Sequence, residues 1–150
     1  MLKGINPLLT PDLLKILMEM GHDDALVLAD ANFTAMSIAA GKPVLRLPGT
    51  SMAQAVQAIS SLLPLATDVD HPVAYMQVSD TPATYLSELQ REVLDALRLD
   101  LLPGQSAEPV ERFAFYERAR AAYAIVLTGE RQPFGNFILR KGVIGENLRP

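Results

Sequence analysis

Residue types that carry several common chemistries are scarce in this 150-residue chain, which has no cysteine and only two histidines. The absence of cysteine excludes disulfides, iron–sulfur clusters and thiol catalysis, and it fits a reducing cytoplasm. With two histidines and no thiols, most ligands of a structural zinc site are missing. We therefore expect neither a metal nor a disulfide framework to support the fold.

Long apolar runs and basic clusters are also missing. No segment approaches the roughly 18 apolar residues that a membrane span needs. The first residues lack the basic region and apolar stretch of a signal peptide. The formal net charge of −4 argues against nucleic acid as a main partner. We expect neither a membrane nor a nucleic acid among the partners.

The composition that is present is typical of one globular domain spanning residues 1–150. Hydrophobic residues make up 49% of the chain and charged residues 20%, and this length supports one substantial core. Helical and strand patterns alternate along the chain. This alternation predicts an α/β fold in which helices cover a central sheet.

The first predicted helix begins at Thr10 as its N-cap and ends at Gly21, for which we expect the left-handed conformation. The unbroken apolar run Ala25–Ala29 then predicts a strand that is buried on both faces. Two segments predict loops, residues 30–41 and 103–109. Further strands are predicted at residues 43–47, 72–78, 123–127 and 137–140, and further helices at residues 51–63, 81–99 and 112–122.

The strand Ala25–Ala29 has a titratable residue near each end. His22 precedes it in a polar turn and suits proton transfer near neutral pH, with an exposed histidine of no role as the alternative. Asp30 follows the strand, where open α/β sheets often bind ligands, with a turn-stabilising aspartate as the alternative. Because five extended residues span about 16 Å, we expect the two groups at opposite ends of the strand. Both could then serve one small ligand only from neighbouring subunits.

The last third of the chain adds weaker candidates. Arg112 could donate hydrogen bonds to a ligand oxygen, with a surface arginine as the alternative. Asn136, in a turn, offers a donor and an acceptor to a polyhydroxylated ligand. The aromatic side chains predict helix–sheet core, or a ring face that stacks on a sugar. These aromatic residues are Phe113, Phe115, Tyr116 and Tyr123.

Several stretches together match the pattern of a known family. They are Met1-Leu2-Lys3, Thr10-Pro11-Asp12-Leu13-Leu14, Glu19-Met20-Gly21-His22, Asp30-Ala31-Asn32-Phe33, Arg112-Phe113-Ala114-Phe115-Tyr116-Glu117-Arg118-Ala119, Thr128-Gly129-Glu130-Arg131, Phe134-Gly135-Asn136 and Lys141-Gly142-Val143. The chain resembles the family of D-ribose pyranases and L-fucose mutarotases, and the fucose branch more closely. The resemblance spans nearly the whole chain.

This resemblance implies a three-layer α/β/α fold with a central mixed sheet. It implies an isomerase that interconverts the α and β anomers of L-fucose or a related monosaccharide, without a metal or other cofactor. It assigns proton transfer to His22. The sugar contacts that it implies are Asp30, Arg112, Phe134, Gly135 and Asn136. It also implies a cytoplasmic homo-oligomeric ring, often a decamer, with sites where subunits meet.

One residue departs from the family pattern, since Phe134 stands where the family typically has tyrosine. A phenol could bond the sugar or relay a proton, and phenylalanine can do neither. Tyr116 and Tyr123 are candidate substitutes. Two alternatives therefore stay open: a ribose pyranase-like interconversion of pyranose and furanose forms, and a non-catalytic sugar-binding or regulatory ring protein.

Overall fold

A computed structural model of the chain describes residues 1–145. Of the C-terminal extension, residues 144–150, residues 146–150 lie outside the described part. The helices are α1 Pro11–Glu19, α2 Ala35–Ala39, α3 Met52–Ser60, α4 Glu88–Leu97 and α5 Arg112–Ala121, with a short 3-10 turn, Arg98–Asp100, after α4. The strands are β1 Ala25–Ala29, β2 Val44–Leu47, β3 Val73–Met76, β4 Ala107–Val110, β5 Ala124–Thr128 and β6 Phe137–Arg140.

The six strands form one mixed sheet in the order β2-β5-β1-β6-β3-β4. Strand β6 is antiparallel to both of its neighbours, β1 and β3, whereas the other three strand pairs are parallel. Phe137, the first residue of β6, therefore lies opposite Leu28 near the end of β1 and opposite Tyr75 in β3. The start of β6 thus meets the carboxyl ends of two parallel strands.

Helices cover both faces of the sheet, and this confirms the predicted α/β architecture. Along β1, Leu26 and Leu28 pack in one hydrophobic cluster with α1, α3 and α4. Val27 and Ala29 point to the other face and pack in a second cluster with α2 and α5. Because successive side chains of a strand alternate between faces, an unbroken apolar run is what a sheet covered on both sides requires.

The start of α1 follows the prediction, but its end does not. Thr10 is the N-cap, and its side chain accepts a hydrogen bond from the backbone N–H of Leu13. The helix ends at Glu19, and Gly21 does not adopt a positive φ, so the predicted left-handed closure is wrong. Asp23, at φ 69°, takes the left-handed conformation instead. The backbone N–H of Gly21 donates to the carboxylate of Asp24 at 2.7 Å, which stabilises this turn.

Three other predicted bounds are corrected. Residues 30–41 contain the short helix α2 rather than an uninterrupted loop. Helix α4 begins after Ser87, seven residues later than the sequence predicts, because Ser87 and Gln90 form a capping box there. Residues 107–109, predicted as loop, begin the edge strand β4, and an edge strand tolerates Pro109 because one side of its backbone is unpaired. Among residues 1–145, no helix is long and apolar enough to cross a bilayer.

Candidate functional site

Asp30 and Asn136 meet at the carboxyl end of β1, although 106 residues separate them in sequence. Asp30 directly follows β1, and Asn136 directly precedes β6. Because β6 runs antiparallel to β1, its first residue lies beside the last residues of β1. The topology of the sheet therefore brings together two of the predicted site residues. We call this end of the sheet the carboxyl edge.

The two side chains are held by reciprocal hydrogen bonds. The side-chain amide of Asn136 donates to Oδ2 of Asp30 at 3.0 Å, and the backbone N–H of Asp30 donates to Oδ1 of Asn136 at 2.8 Å. The backbone N–H of Asn32 donates to the second carboxylate oxygen of Asp30 at 3.0 Å. Both residues are 3% exposed. Their orientation is thus fixed before any ligand arrives.

The electrostatics of Asp30 follow from this burial. Burial raises the pKa of the Asp30 carboxyl above its ordinary range, and it outweighs the opposing hydrogen bonds from Asn32, Asn136 and the backbone of Gly135. The nearby charge of Glu130 also raises this pKa. Both carboxylate oxygens of Asp30 already accept a hydrogen bond from the protein, and each has a further lone pair that can accept from a ligand hydroxyl group.

The turn before Asn136 is tightly packed. Phe134 has φ 60°, an uncommon conformation for a side chain with a Cβ. Position 135 has room only for glycine, since a Cβ there would lie 2.8 Å from Leu89 Cδ2 and 3.0 Å from the carbonyl oxygen of Gln132. The fully buried amide of Gln90 donates to the carbonyl of Phe134 at 3.2 Å and to that of Met76 at 2.7 Å. Helix α4 therefore supports the strained turn.

Gln90 and Glu130 were not predicted as site residues. The spacing of Ser87 and Gln90 is that of a capping box, a signal that could have found the start of α4 but not the contact with the Phe134 turn. The carboxylate of Glu130 accepts hydrogen bonds from the backbone N–H groups of Arg131 at 2.9 Å and Gln132 at 3.0 Å. It therefore orders the loop that leads to Phe134.

Arg112 lies at the same edge, as the first residue of α5. Its Nε donates to the hydroxyl of Tyr116 at 2.9 Å, and its guanidinium stacks on the rings of Phe113 and Tyr116. It lines an open cavity of about 240 Å³. The ring of Phe33, in the loop after Asp30, packs edge-on against Tyr116 with 5.7 Å between centroids. Successive side-chain contacts, from Phe33 through Tyr116, thus connect the loop of Asp30 to Arg112.

The two candidate substitutes for the missing phenol lie in different places. Tyr116 and Phe134 both pack against the hydrophobic cluster under α2 and α5. Tyr123 precedes β5 at the opposite end of the sheet, where its hydroxyl contacts Glu19 at 3.4 Å. Within one chain, Tyr116 therefore lies at the edge that holds Arg112, and Tyr123 does not.

His22 lies in the loop before β1, at the end of the sheet that we call the amino edge. Its Nε2 is 3.1 Å from Oδ2 of Asp68, and the two side chains are 47% and 58% exposed. The hydrogen bond from His22 lowers the pKa of Asp68. Arg140 and Asp23 form an ion pair nearby. Asp68 was not predicted, because it stands in a loop of irregular pattern, 46 residues from His22.

The predicted site residues thus divide between two edges. Asp30, Asn136, Phe134, Gly135 and Arg112 follow or precede strands at the carboxyl edge. His22 lies at the other end of β1, a strand of five residues that spans about 16 Å. The expected separation of His22 and Asp30 is confirmed. Among residues 1–145, no cluster of three His, Asp or Glu side chains could hold a metal ion.

A helix-covered mixed sheet that holds a buried carboxylate–amide pair where strand ends meet is the arrangement of an α/β protein that binds a small polar ligand. The chain belongs to the RbsD / FucU transport protein family, whose pattern matches residues 3–144. The resemblance predicted from the sequence is confirmed.

Individual relatives place the chain in the fucose mutarotase branch of this family. It is 44% identical to an L-fucose mutarotase of Actinobacillus pleuropneumoniae over 144 residues, which cover 95% of this chain and 97% of that protein. It is 45% identical to the fucose mutarotase of Danio rerio, over 95% of this chain and 94% of that one. The solved fucose mutarotase of Streptococcus pneumoniae, in complex with L-fucose, is similar with a TM-score of 0.87 and 37% identity, over 96% of this chain and 100% of that one.

Proposed function

We propose that the chain is an L-fucose mutarotase, an isomerase that interconverts the α and β anomers of L-fucose by opening and closing the sugar ring. The observation that carries this proposal is the full-length similarity to fucose mutarotases at 44% and 45% identity. The solved relative with bound L-fucose supports the same substrate. A buried, pre-oriented carboxylate at the carboxyl edge suits a ligand rich in hydroxyl groups.

In this proposal the residues of the carboxyl edge bind the sugar. Asp30 accepts hydrogen bonds from sugar hydroxyls, and Asn136, which holds Asp30 in place, offers its remaining polar capacity. Arg112 donates to a sugar oxygen, and the ring of Phe134 packs against the apolar side of the sugar. Gly135 keeps the turn close to α4, so that Asn136 stays aligned.

His22 supplies the proton transfer. Ring opening needs a base that takes the proton of the anomeric hydroxyl and an acid that protonates the ring oxygen. The aldehyde then rotates about the C1–C2 bond, and the hydroxyl adds to the other face. The uncatalysed reaction is already fairly fast, so acid–base assistance of about 10²–10⁴-fold is enough. One histidine among hydroxyl-binding groups is sufficient for an acceleration of this size.

The separation of the two edges supports a site shared between subunits. His22 and Asp30 of one chain lie too far apart for one monosaccharide, so we expect His22 of one subunit to meet Asp30 of the next. Head-to-tail contacts of this kind generate a ring when the rotation between neighbouring subunits closes. We propose a cytoplasmic ring, with the decamer that the resemblance implies as the expected size.

A second candidate function is favoured by one observation, the phenylalanine at position 134. Without a phenol the chain could bind a monosaccharide and leave its anomers unchanged, as a sensor would. Saturation-transfer NMR separates the candidates. Accelerated exchange between L-fucose anomers supports the mutarotase, exchange of D-ribose forms alone supports the pyranase alternative, and binding without exchange supports the sensor.

A mixing experiment tests the shared site. We expect His22→Ala and Asp30→Ala to be inactive as separate proteins. The two variants are then mixed in equal amounts, unfolded together and reassembled. Each shared site takes His22 from one subunit and Asp30 from the next, and each of these two residues is intact with even chances. Random rings should then recover roughly a quarter of the wild-type exchange rate. A mixture that stays inactive although rings form would contradict a site shared between these two residues.

A further inference from the structure

The contact between Asp68 and His22 determines which ring nitrogen carries hydrogen. Nε2 of His22 lies 3.2 Å from Oδ1 and 3.1 Å from Oδ2 of Asp68. A carboxylate oxygen only accepts when the group is ionised. Two such oxygens beside one nitrogen therefore require that Nε2 be the donor.

The surroundings keep Asp68 ionised. The hydrogen bond from His22 lowers the pKa of Asp68 most, and the charge of Arg140 acts in the same direction. Arg140, from β6, also pairs with Asp23, from the loop before β1. Asp24 and Lys141 also face this turn, where they bond the backbone N–H of Gly21 and the carbonyl oxygen of Met20. Among residues 1–145, the carboxylate that forms a hydrogen bond with the imidazole is that of Asp68.

We propose that Asp68 is a positioning residue, which holds the neutral imidazole of His22 in its Nε2–H tautomer and leaves Nδ1 as the atom that exchanges a proton with the sugar. This inference rests on the proposed function. Among residues 1–145, no hydrogen bond reaches Nδ1 of His22. The nitrogen opposite Asp68 is therefore the one available to a ligand.

The proton balance is simple. In ring opening, Nδ1 takes the proton of the anomeric hydroxyl, and the electron pair of that O–H bond becomes the second bond of the C1 carbonyl. The bond between C1 and the ring oxygen breaks, and the ring oxygen keeps its electron pair and takes a proton from a water molecule, which is left as hydroxide beside the imidazolium until ring closure. Asp68 stabilises the imidazolium that forms, as an orienting carboxylate does in other histidine sites. Ring closure reverses each transfer.

The other histidine provides an internal reference. Nδ1 of His71 lies 3.2 Å from the backbone carbonyl oxygen and 3.1 Å from the side-chain hydroxyl of Ser106. The carbonyl only accepts, but the hydroxyl can also donate, so these contacts allow either tautomer of His71. No carboxylate among residues 1–145 forms a hydrogen bond with His71, so this exposed histidine is a reference whose tautomer Asp68 does not set.

Long-range ¹H–¹⁵N correlation spectra of ¹⁵N-histidine-labelled protein, at mildly alkaline pH, test the tautomers without any sugar. The spectrum of His22→Ala, which lacks the His22 signals, shows which signals belong to His22 and which to His71. We expect Nε2–H for His22 in the wild type, with His71 as the reference. In Asp68→Ala, His22 should become a mixture while His71 is unchanged. A wild-type His22 in the Nδ1–H form, or a tautomer unaffected by Asp68→Ala, would overturn the proposal.

The rate of L-fucose exchange tests the catalytic consequence. Asp68→Ala should lower kcat about 10- to 100-fold with little change in KM, the size of effect known for the hydrogen-bonded partners of metal-ligating histidines. Asp68→Glu should restore part of kcat. Asp70→Ala is the matched control, because Asp70 is exposed and its side chain makes no hydrogen bond within the described residues, so this variant should keep the full rate.

The failure of this inference is distinguishable from that of the proposed function. If Asp68→Ala exchanges L-fucose at the wild-type rate, the positioning role is wrong and the mutarotase stands. If the wild type accelerates no exchange although His22 holds the predicted tautomer, the mutarotase is wrong, and the sugar step assigned to Nδ1 is overturned with it.

Discussion

At the carboxyl end of β1, Asp30 and Asn136 are 3% exposed and satisfy each other, whereas at the amino end His22 and Asp68 leave about half of their side chains in solvent. The first pair is part of the packed interior. The second pair can be changed with little effect on packing. The two ends should therefore respond differently to substitution. Substitutions at the carboxyl edge should impair both folding and ligand binding, whereas substitutions at the amino edge should impair mainly catalysis.

The largest expected effect is that of His22→Ala. Removal of the acid–base group should lower the exchange rate of L-fucose anomers about 10²–10⁴-fold, while the midpoint of thermal unfolding stays unchanged because the side chain is exposed. Saturation-transfer NMR and calorimetry measure the two quantities. His71→Ala is the matched control and should change neither. A variant that keeps the wild-type exchange rate would remove His22 from the mechanism.

Asn136→Ala should damage both properties at once. It leaves the backbone N–H of Asp30 and one carboxylate oxygen without their partner, and each unsatisfied buried group costs about 1–3 kcal/mol. Urea unfolding measures the loss, and a titration with L-fucose measures the expected loss of binding. Asn32→Ala is the control, because Asn32 is exposed and reaches Asp30 through its backbone N–H. Equal stability of the two variants would contradict the structural role of the pair.

Two glycine-to-alanine variants compare how tightly the carboxyl edge and the amino edge of the sheet are packed. Gly135→Ala places a Cβ 2.8 Å from Leu89 and 3.0 Å from a backbone carbonyl, and such overpacking costs about 1–3 kcal/mol. Gly21→Ala, in the loop of His22, meets its nearest atom at 3.7 Å and has no positive φ. We expect urea unfolding to detect a loss only for Gly135→Ala. A comparable loss in both variants would show that the His22 loop is as tightly packed.

Phe134→Tyr tests the departure from the family pattern. If the missing phenol takes part in catalysis, the substitution adds one hydrogen bond to the bound sugar, worth about 0.5–1.5 kcal/mol, or roughly 2- to 10-fold in the exchange rate. Stability should not change, because the ring and the backbone conformation stay the same. An unchanged rate would mean that the site works without this phenol, and Tyr116→Phe would then test the remaining substitute.

The smallest expected effects are pH dependences of opposite sign. The pKa of Asp30 is raised by burial, so its contribution to stability is present below the unfolded pKa and is lost as pH rises through the folded pKa. The pKa of Asp68 is lowered by His22, so its contribution is present above the unfolded pKa and is lost as pH falls through the folded pKa. As pH rises above about 3.9, the ordinary aspartate value, toward the folded pKa of Asp30, the stability gap between wild type and Asp30→Ala should narrow. The gap for Asp68→Ala should widen below that value, as pH rises from the folded pKa of Asp68 toward about 3.9. Urea unfolding over a pH series measures both gaps, and gaps of the same sign would contradict the assignment.

Local signals account for what the sequence predicted well. The bounds of β1 and β6 follow from short apolar runs between turn residues, and α5 begins at Arg112 as expected. The five-residue helix α2 was missed, because a helix this short shows no periodicity. Strand β4 was missed because Pro109 reads as a breaker, although an edge strand accepts it.

The sequence predicted only part of the site. Asp30 and His22 could be proposed from their positions at the ends of a buried strand. Their partners could not, because the contacts with Asn136 and Asp68 bridge 106 and 46 residues. Such contacts depend on strand order and on loop conformation, which no local pattern encodes. Asn136 was itself a candidate, from its turn and from the resemblance to a family, but its contact with Asp30 was not predicted, and Asp68 was found only in the structure.

The position of β6 has a consequence for synthesis of the chain. This last strand lies between β1 and β3, so the β2-β5-β1 and β3-β4 parts of the sheet stay separate, with unpaired edges, until residues 137–140 have left the ribosome. Non-local pairings of this kind are slow, and unpaired edges aggregate. We therefore expect a chain released before Phe137 to be insoluble, and Asp30 to gain its partner Asn136 only in the final step of assembly, so that no partly made protein can bind its ligand.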